Sequence, residues 1–201
     1  MTLSARVIAG ILLAAGTSRR YGRAKLLETW GDKSLLLRAA QAFKSADLSP
    51  LVVVVPADRR FSLAVSGFEL IENHQPELGI GHSIALGIGA LPPSAAAALI
   101  GVADQPLLDE HVIRRLCGAF LPGRIVVASY GGHPGNPRLF DRQFFPELAA
   151  LTGDVGGQLV AAAHGEAVIE REFPERLGWD IDRPEDWTRL PLMEEAAEGG
   201  A

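Results

Sequence analysis

The chain has 201 residues, of which 48% are hydrophobic and 21% charged, a usage that excludes disordered, collagen-like and coiled-coil classes and fits one globular domain. A formal net charge of −5 speaks against non-specific binding to nucleic acid, which needs a basic surface or stripe. One cysteine, Cys117, leaves no internal disulfide and no cysteine-based metal cage.

The apolar runs 8–15 and 95–103 fall well short of the ~20 residues that span a bilayer. The N-terminal run lacks a good cleavage site, so the expected location is the cytoplasm, with neither membrane nor nucleic acid as partner. In chain order, RVIAGILL over 6–13 reads as a buried strand and LVVVV over 51–55 as a second, with 68–73 and 97–104 as further strands. Between them, 34–46, 58–65 and 82–91 carry apolar residues at helical spacing, the first opening on Ser34 as its cap. A helix over 109–120 has Asp109 and Glu110 in its first turn, and a strand follows over 125–130. GGHPGNP over 131–137 carries three glycines and two prolines and is expected to interrupt regular structure. Helices at 144–151 and 157–164, a strand at 167–172 and a short helix from Pro184 complete the reading. Alternating strand and helix predict a three-layer, Rossmann-like α/β fold with a mostly parallel sheet. The expected domain spans 1–192, with an acidic, flexible tail at 193–201.

The segment LLAAGTSRRYGRAK over 12–25 follows the first strand, at the strand end where open α/β sheets place ligands. Small residues let a phosphate approach the backbone amides, and Arg20 and Lys25 add charge. Five residues separate Gly16 from Gly22, so it is not a Walker A loop, and GxGxxG is absent. Only three of the 19 cationic residues are lysines, and Lys25 lies with Arg19, Arg20 and Arg23 in one seven-residue window.

The thirteen residues LAAGTSRRYGRAK resemble LAAGxSxRMGxxK, the signature of the MobA-like nucleotidyltransferases and in particular of the molybdenum cofactor cytidylyltransferases of MocA type, with Tyr21 in place of methionine. The resemblance implies a nucleotidyltransferase fold and transfer of CMP from CTP to a molybdopterin-type cofactor, with release of pyrophosphate. Carried across, Leu13, Ala14, Ala15, Gly16, Thr17, Arg20 and Lys25 would hold the nucleotide, with Lys25, Arg20 and Asp104 as the catalytic set. Ala15 matches the form associated with CTP, where guanylyltransferases usually carry glycine.

Asp104 ends the strand over 97–103, and a carboxylate there suits a hard divalent cation. ADQPLL is similar to the family's GDQPLL, whose aspartate ligates magnesium. WDIDRPEDW over 179–187 is similar to its DIDTPEDL ending, which makes Asp182 the expected partner of Asp104, with Asp180 second. Magnesium is the implied ion, and manganese, with the same oxygen preference, the alternative. Capping of a helix by Asp182 and chain turning by Asp104 are the structural alternatives.

Gly79, Gly81 and Ser83 resemble the family's base- and ribose-contacting GxxxSL segment. His82 gives no hydrolase elbow, since Ala85 stands where GxSxG needs glycine. GHPGNPRLF over 132–140 is similar to GxxGHPVLF, which faces the acceptor, with Asn136 for histidine and Arg138 for valine; the implied contacts are Gly132, Gly135, Asn136 and Pro137. LTGDVGGQ over 151–158 is similar to LxGDxGAR, with Gln158 for arginine, which adds Asp154 and Gly156. A molybdoenzyme or its chaperone would receive the product. The alternatives are guanylyl or other nucleotidyl transfer to a different phosphate acceptor, and a non-catalytic nucleotide- or cofactor-binding accessory of molybdoenzyme maturation.

Overall fold

The computed structural model describes residues 7–16 and 21–190. Its frame is a seven-stranded sheet of β1 (Ile8–Leu13), β4 (Leu51–Pro56), β5 (Glu69–Asn73), β6 (Ala97–Val102), β7 (Ile125–Tyr130), β8 (His133–Asp141) and β9 (Val168–Phe173), in the order β5-β4-β1-β6-β8-β7-β9. Only β8 runs antiparallel to its neighbours. A ribbon of β2 (Thr29–Trp30) and β3 (Lys33–Ser34), which the sequence pattern does not announce, precedes α1. The helices are α1 (Leu35–Ser45), α2 (Arg59–Ala64), α3 (Ile80–Gly89), α4 (Glu110–Gly118), α5 (Phe145–Ala149) and α6 (Gln158–Ala163).

Side chains alternate across a strand, so the continuous apolar runs of β1 and β4 supply two cores at once. Leu12, Val53 and Val55 pack on one face with Leu36 and Phe43 of α1 and Val112 and Leu116 of α4. Ile11, Leu13, Val52 and Val54 pack on the other with Ile84 and Ile88 of α3, Leu148 of α5 and Val160 of α6. Val52 to Val55 are fully buried, each worth about 1.5–3 kcal/mol over exposure. The caps follow the sequence: Ser34 Oγ accepts from Leu37 N, and Asp109 Oδ1 from Val112 N at 2.9 Å.

One expectation is corrected. GGHPGNP interrupts the chain only at Gly131 and Gly132, whose φ of 58° and 79° suit a two-residue hairpin turn. His133 to Pro137 then open β8. Prolines are tolerated there because β6 pairs with β8 only from Arg138 onward, and the ladder to β7 shifts register between Val127 and Ser129. The expected helix at 144–151 is a 3₁₀ turn (Arg142–Phe144) running into the short α5, and the segment from Pro184 is a 3₁₀ helix to Arg189. Thr17, Arg20 and the segment 193–201 lie outside the described residues. Among the described residues no helix is long and apolar enough to cross a membrane.

Candidate active site

At the carboxyl ends of the parallel strands, Ala14 N donates to Val54 O at 2.8 Å and Ala103 N to Leu13 O at 3.1 Å. The two chain segments that leave β1 and β6 therefore diverge side by side, and a cleft of about 520 Å³ opens between them. Leu13, Ala15, Gly16, Lys25, Gly79, Ser83, Asp104, Asp154 and Asp182 all line it. Ala14 does not, because alternation turns it into the opposite core. Gly81 is packed against the backbone of Leu151 and Thr152, where a Cβ would come within 2.8 Å of Thr152 N.

The floor of the cleft is an ionic cluster drawn from three distant parts of the chain. Lys25, 9% exposed, donates to Asp104 Oδ2 at 2.8 Å, to the carbonyl of Ile181 at 2.6 Å and to Asp182 Oδ1 at 3.2 Å. Burial pulls the Lys25 ammonium down, and the carboxylates of Asp104 and Asp182 outweigh it and hold the ammonium above its ordinary value. Ile181 N returns a bond to Asp104 O at 3.0 Å. All three ammonium protons are thus engaged, so contact with a phosphate requires one to be released; the longest goes to Asp182, whose side chain is 58% exposed.

Asp104 Oδ1 is buried and has no hydrogen-bond partner among the described residues, an arrangement that a hard cation satisfies. No group of three or more His, Cys, Asp or Glu among the described residues is arranged to enclose a metal, so an ion here would take one or two carboxylates and complete its shell with phosphate oxygens and water. Asp180 stands beside them; crowding by protein and the charges of Asp104 and Asp182 push its carboxyl up to about 7.

The opposite wall rests on buried Asn73. Its Nδ2 donates to Ser83 Oγ at 3.0 Å, and its Oδ1 accepts from Gln75 N at 2.8 Å. Ser83 therefore keeps its own proton to donate into the cleft. Gly79, at φ 87°, meets the 153–154 loop so closely that a Cβ would lie 2.3 Å from Gly153 C, and Gly81 N donates to Gly153 O at 3.0 Å. The start of α3 and the Asp154 loop are thereby joined.

Residues 10–168 match the MobA-like NTP transferase domain. The chain belongs to this family. It is 30% identical to the purine catabolism protein PucB of Bacillus subtilis over 89% of its own length and 93% of that protein. It is 29% identical to the nicotine blue oxidoreductase of Paenarthrobacter nicotinovorans, over 91% and 96%. Among solved structures, Rv0371c of Mycobacterium tuberculosis H37Rv superposes with a TM-score of 0.81 at 27% identity, covering 94% of this chain and 98% of that one; it has also been crystallised with manganese. As a MobA-like NTP transferase, the protein is a nucleotidyltransferase.

The residues expected at the acceptor side of this MobA-like domain divide. Asp154 lines the main cleft. Asn136 and Gly156 line a smaller cavity that shares Leu13, Ile80 and Val102 with it. Gly132 is exposed at the hairpin tip and donates to Glu172 Oε1 at 3.2 Å. Gly135 lies against the Tyr130 ring, and Pro137 approaches Gly101. Sequence reasoning noted Tyr21 and Arg138 as departures but gave them, and Asn73, no role. Tyr21 donates to Glu28 Oε2 at 2.8 Å and accepts from Trp187 Nε1, tying the chain before Lys25 to the 184–189 turn. A polar residue closing an apolar strand, Asn73, and an arginine within one, Arg138, were the available signals.

Proposed function

We propose that the protein transfers CMP from CTP to a terminal phosphate of a molybdopterin-type cofactor and releases pyrophosphate. The observation that carries this is the Lys25 ammonium clasped by Asp104 and Asp182 on the floor of a cleft bounded by Gly16 and Gly79. The choice of CTP rests on Ala15, which forms part of the cleft wall, and that of acceptor on the 132–140 segment. The names of the two full-length relatives, one for purine catabolism and one for nicotine blue, accord with a cofactor supplied to a catabolic enzyme in the cytoplasm.

The reaction joins two anions, so charge neutralisation and alignment dominate its barrier. An oxygen of the acceptor phosphate attacks the α-phosphorus of CTP, and the bond to the β-phosphate bridging oxygen breaks as pyrophosphate leaves. The acceptor's second pKa is about 6, so the nucleophile is already ionised near neutrality and needs no general base. Asp104 and Asp182 would hold a divalent cation, magnesium in our reading with manganese as alternative, which when bound supplies positive charge to the phosphates. Lys25 would donate to the triphosphate on releasing Asp182. Ser83 would donate to the ribose or base, and Gly16 would allow close backbone approach.

The test is pyrophosphate release with each of the four ribonucleoside triphosphates, a divalent cation, and molybdopterin or its molybdenum form. Acceptor-dependent release with CTP alone is the expected result. Release with GTP instead would overturn the nucleotide assignment, and tight nucleotide binding without turnover would favour the accessory role.

A further inference from the structure

Arg138 lies within β8, an interior strand, opposite Ile100 on β6 and Val127 on β7, where a guanidinium is expensive to desolvate. It is 9% exposed. No carboxylate pairs with it among the described residues; its one hydrogen bond there runs from Nη1 to the neutral Asn136 Oδ1 at 2.6 Å. Alternation places it on the same face as Phe140, and it borders the small cavity together with Asn136, Gly156 and Gln158. That cavity holds about 30 Å³, room for two waters or for the oxygens of one small anion. It opens beside the nucleotide cleft through the shared Leu13, Ile80 and Val102. Two sequence departures meet here, since Arg138 adds a cation to the same cavity that Gln158 lines, where one is missing.

We propose that Arg138 is the acceptor-side anion receptor of this enzyme, holding a phosphoryl group of the acceptor beside the nucleotide cleft, with Asn136 orienting its guanidinium. A buried guanidinium without a carboxylate is completed by an external oxyanion, and its planar fork suits two phosphate oxygens. Asn136 occupies one edge of the fork and leaves the remaining N–H donors toward the cavity. The inference rests on the nucleotidyl-transfer reading for the source of the phosphate, but the anion site itself is testable without turnover.

The probe is inorganic phosphate, titrated calorimetrically into protein already saturated with a non-hydrolysable α,β-methylene analogue of CTP, so that the triphosphate position is filled. Saturable binding of phosphate is expected for the wild type, weakened about tenfold or more by Arg138→Gln. Analogue affinity should be little changed, because Arg138 does not line the nucleotide cleft. Arg138→Lys, which keeps the charge and loses the fork, should fall between. The exchanged pair Arg138→Val/Gln158→Arg should recover phosphate binding from another lining position of the same cavity. Equal phosphate affinity in wild type and in a folded Arg138→Gln or Arg138→Lys protein would overturn the proposal, as would a parallel loss of analogue affinity, which would assign Arg138 to the nucleotide. The expected binding pattern without CMP transfer to any pterin acceptor would uphold the anion site while removing the proposed reaction.

Discussion

Two depressions among the described residues lie at opposite ends of β1 and have nearly the same volume, about 520 Å³ at the carboxyl end and about 510 Å³ at the amino end. The first collects Lys25, Asp104, Asp154 and Asp182. The second is lined by Val7, Ile8, Leu48, Pro50 and Cys117, with Asp47 at its edge. Volume does not distinguish them; backbone direction does. At the carboxyl ends the chain turns out of each parallel strand into segments that carry the glycines and charges, and at the amino ends it merely enters the sheet.

The largest expected effect on this contrast comes from Lys25→Ala. Removing the cation leaves Asp104 and Asp182 facing each other uncompensated, and pyrophosphate release should fall by about 10³-fold; retention of a near-normal rate would take Lys25 out of the mechanism. Asp104→Asn should also lower turnover, by on the order of 10²-fold, and raise the divalent-ion concentration needed for half-maximal rate. An unchanged metal dependence would point to Asp182 alone.

Two glycines separate architecture from ligand approach. Gly79→Ala combines positive φ with a clash against Gly153 and should cost about 1–3 kcal/mol of stability, read in a denaturant melt. Gly16→Ala, with nothing among the described residues within 4 Å of the new methyl, should leave the melt unchanged and weaken nucleotide binding. Equal stability losses would erase the distinction.

A smaller effect is expected from Asp180. Its carboxyl is pushed up to about 7, above the ~3.9 of an unfolded chain, so the folded state binds the extra proton between these values. The contribution to stability is fully present below about 4 and is lost as pH rises through 7; Asp180→Asn should flatten that slope. A carboxyl resonance titrating near 4 would contradict it. The smallest effect belongs to the amino-terminal depression. Burial pushes the Cys117 thiol up to about 11, so a disulfide reagent at pH 8 should label it slowly, and Cys117→Ser should leave turnover unchanged. A large loss of rate would make the second depression functional after all.

Much of the frame was legible because its signals are local. LVVVV can only be a strand buried on both faces, and Ser34 and Asp109 cap their helices through bonds to residues three positions on. Nine of the residues that line the main cleft were legible as motif members, yet Ala14 and Gly81 sit inside the same motifs and face the interior. Orientation within a motif depends on strand alternation and helix phase, which motif letters do not encode. GGHPGNP was misread because proline is locally a breaker, whereas its tolerance in β8 depends on where β6 stops pairing.

The order of residues along the chain thus determined the strands, the caps, the glycine-rich loops and the identity of the charged groups, all of which depend on neighbours a few positions apart. Tertiary structure alone decided that Lys25, Asp104 and Asp182, as many as 157 positions apart, share one proton-donating ammonium, and that Arg138 and Gln158 face one cavity. Those proximities follow from sheet order and crossover connections, and the energies that enforce them are the burial of two cores and the desolvation of a cation, neither of which is a property of any short segment.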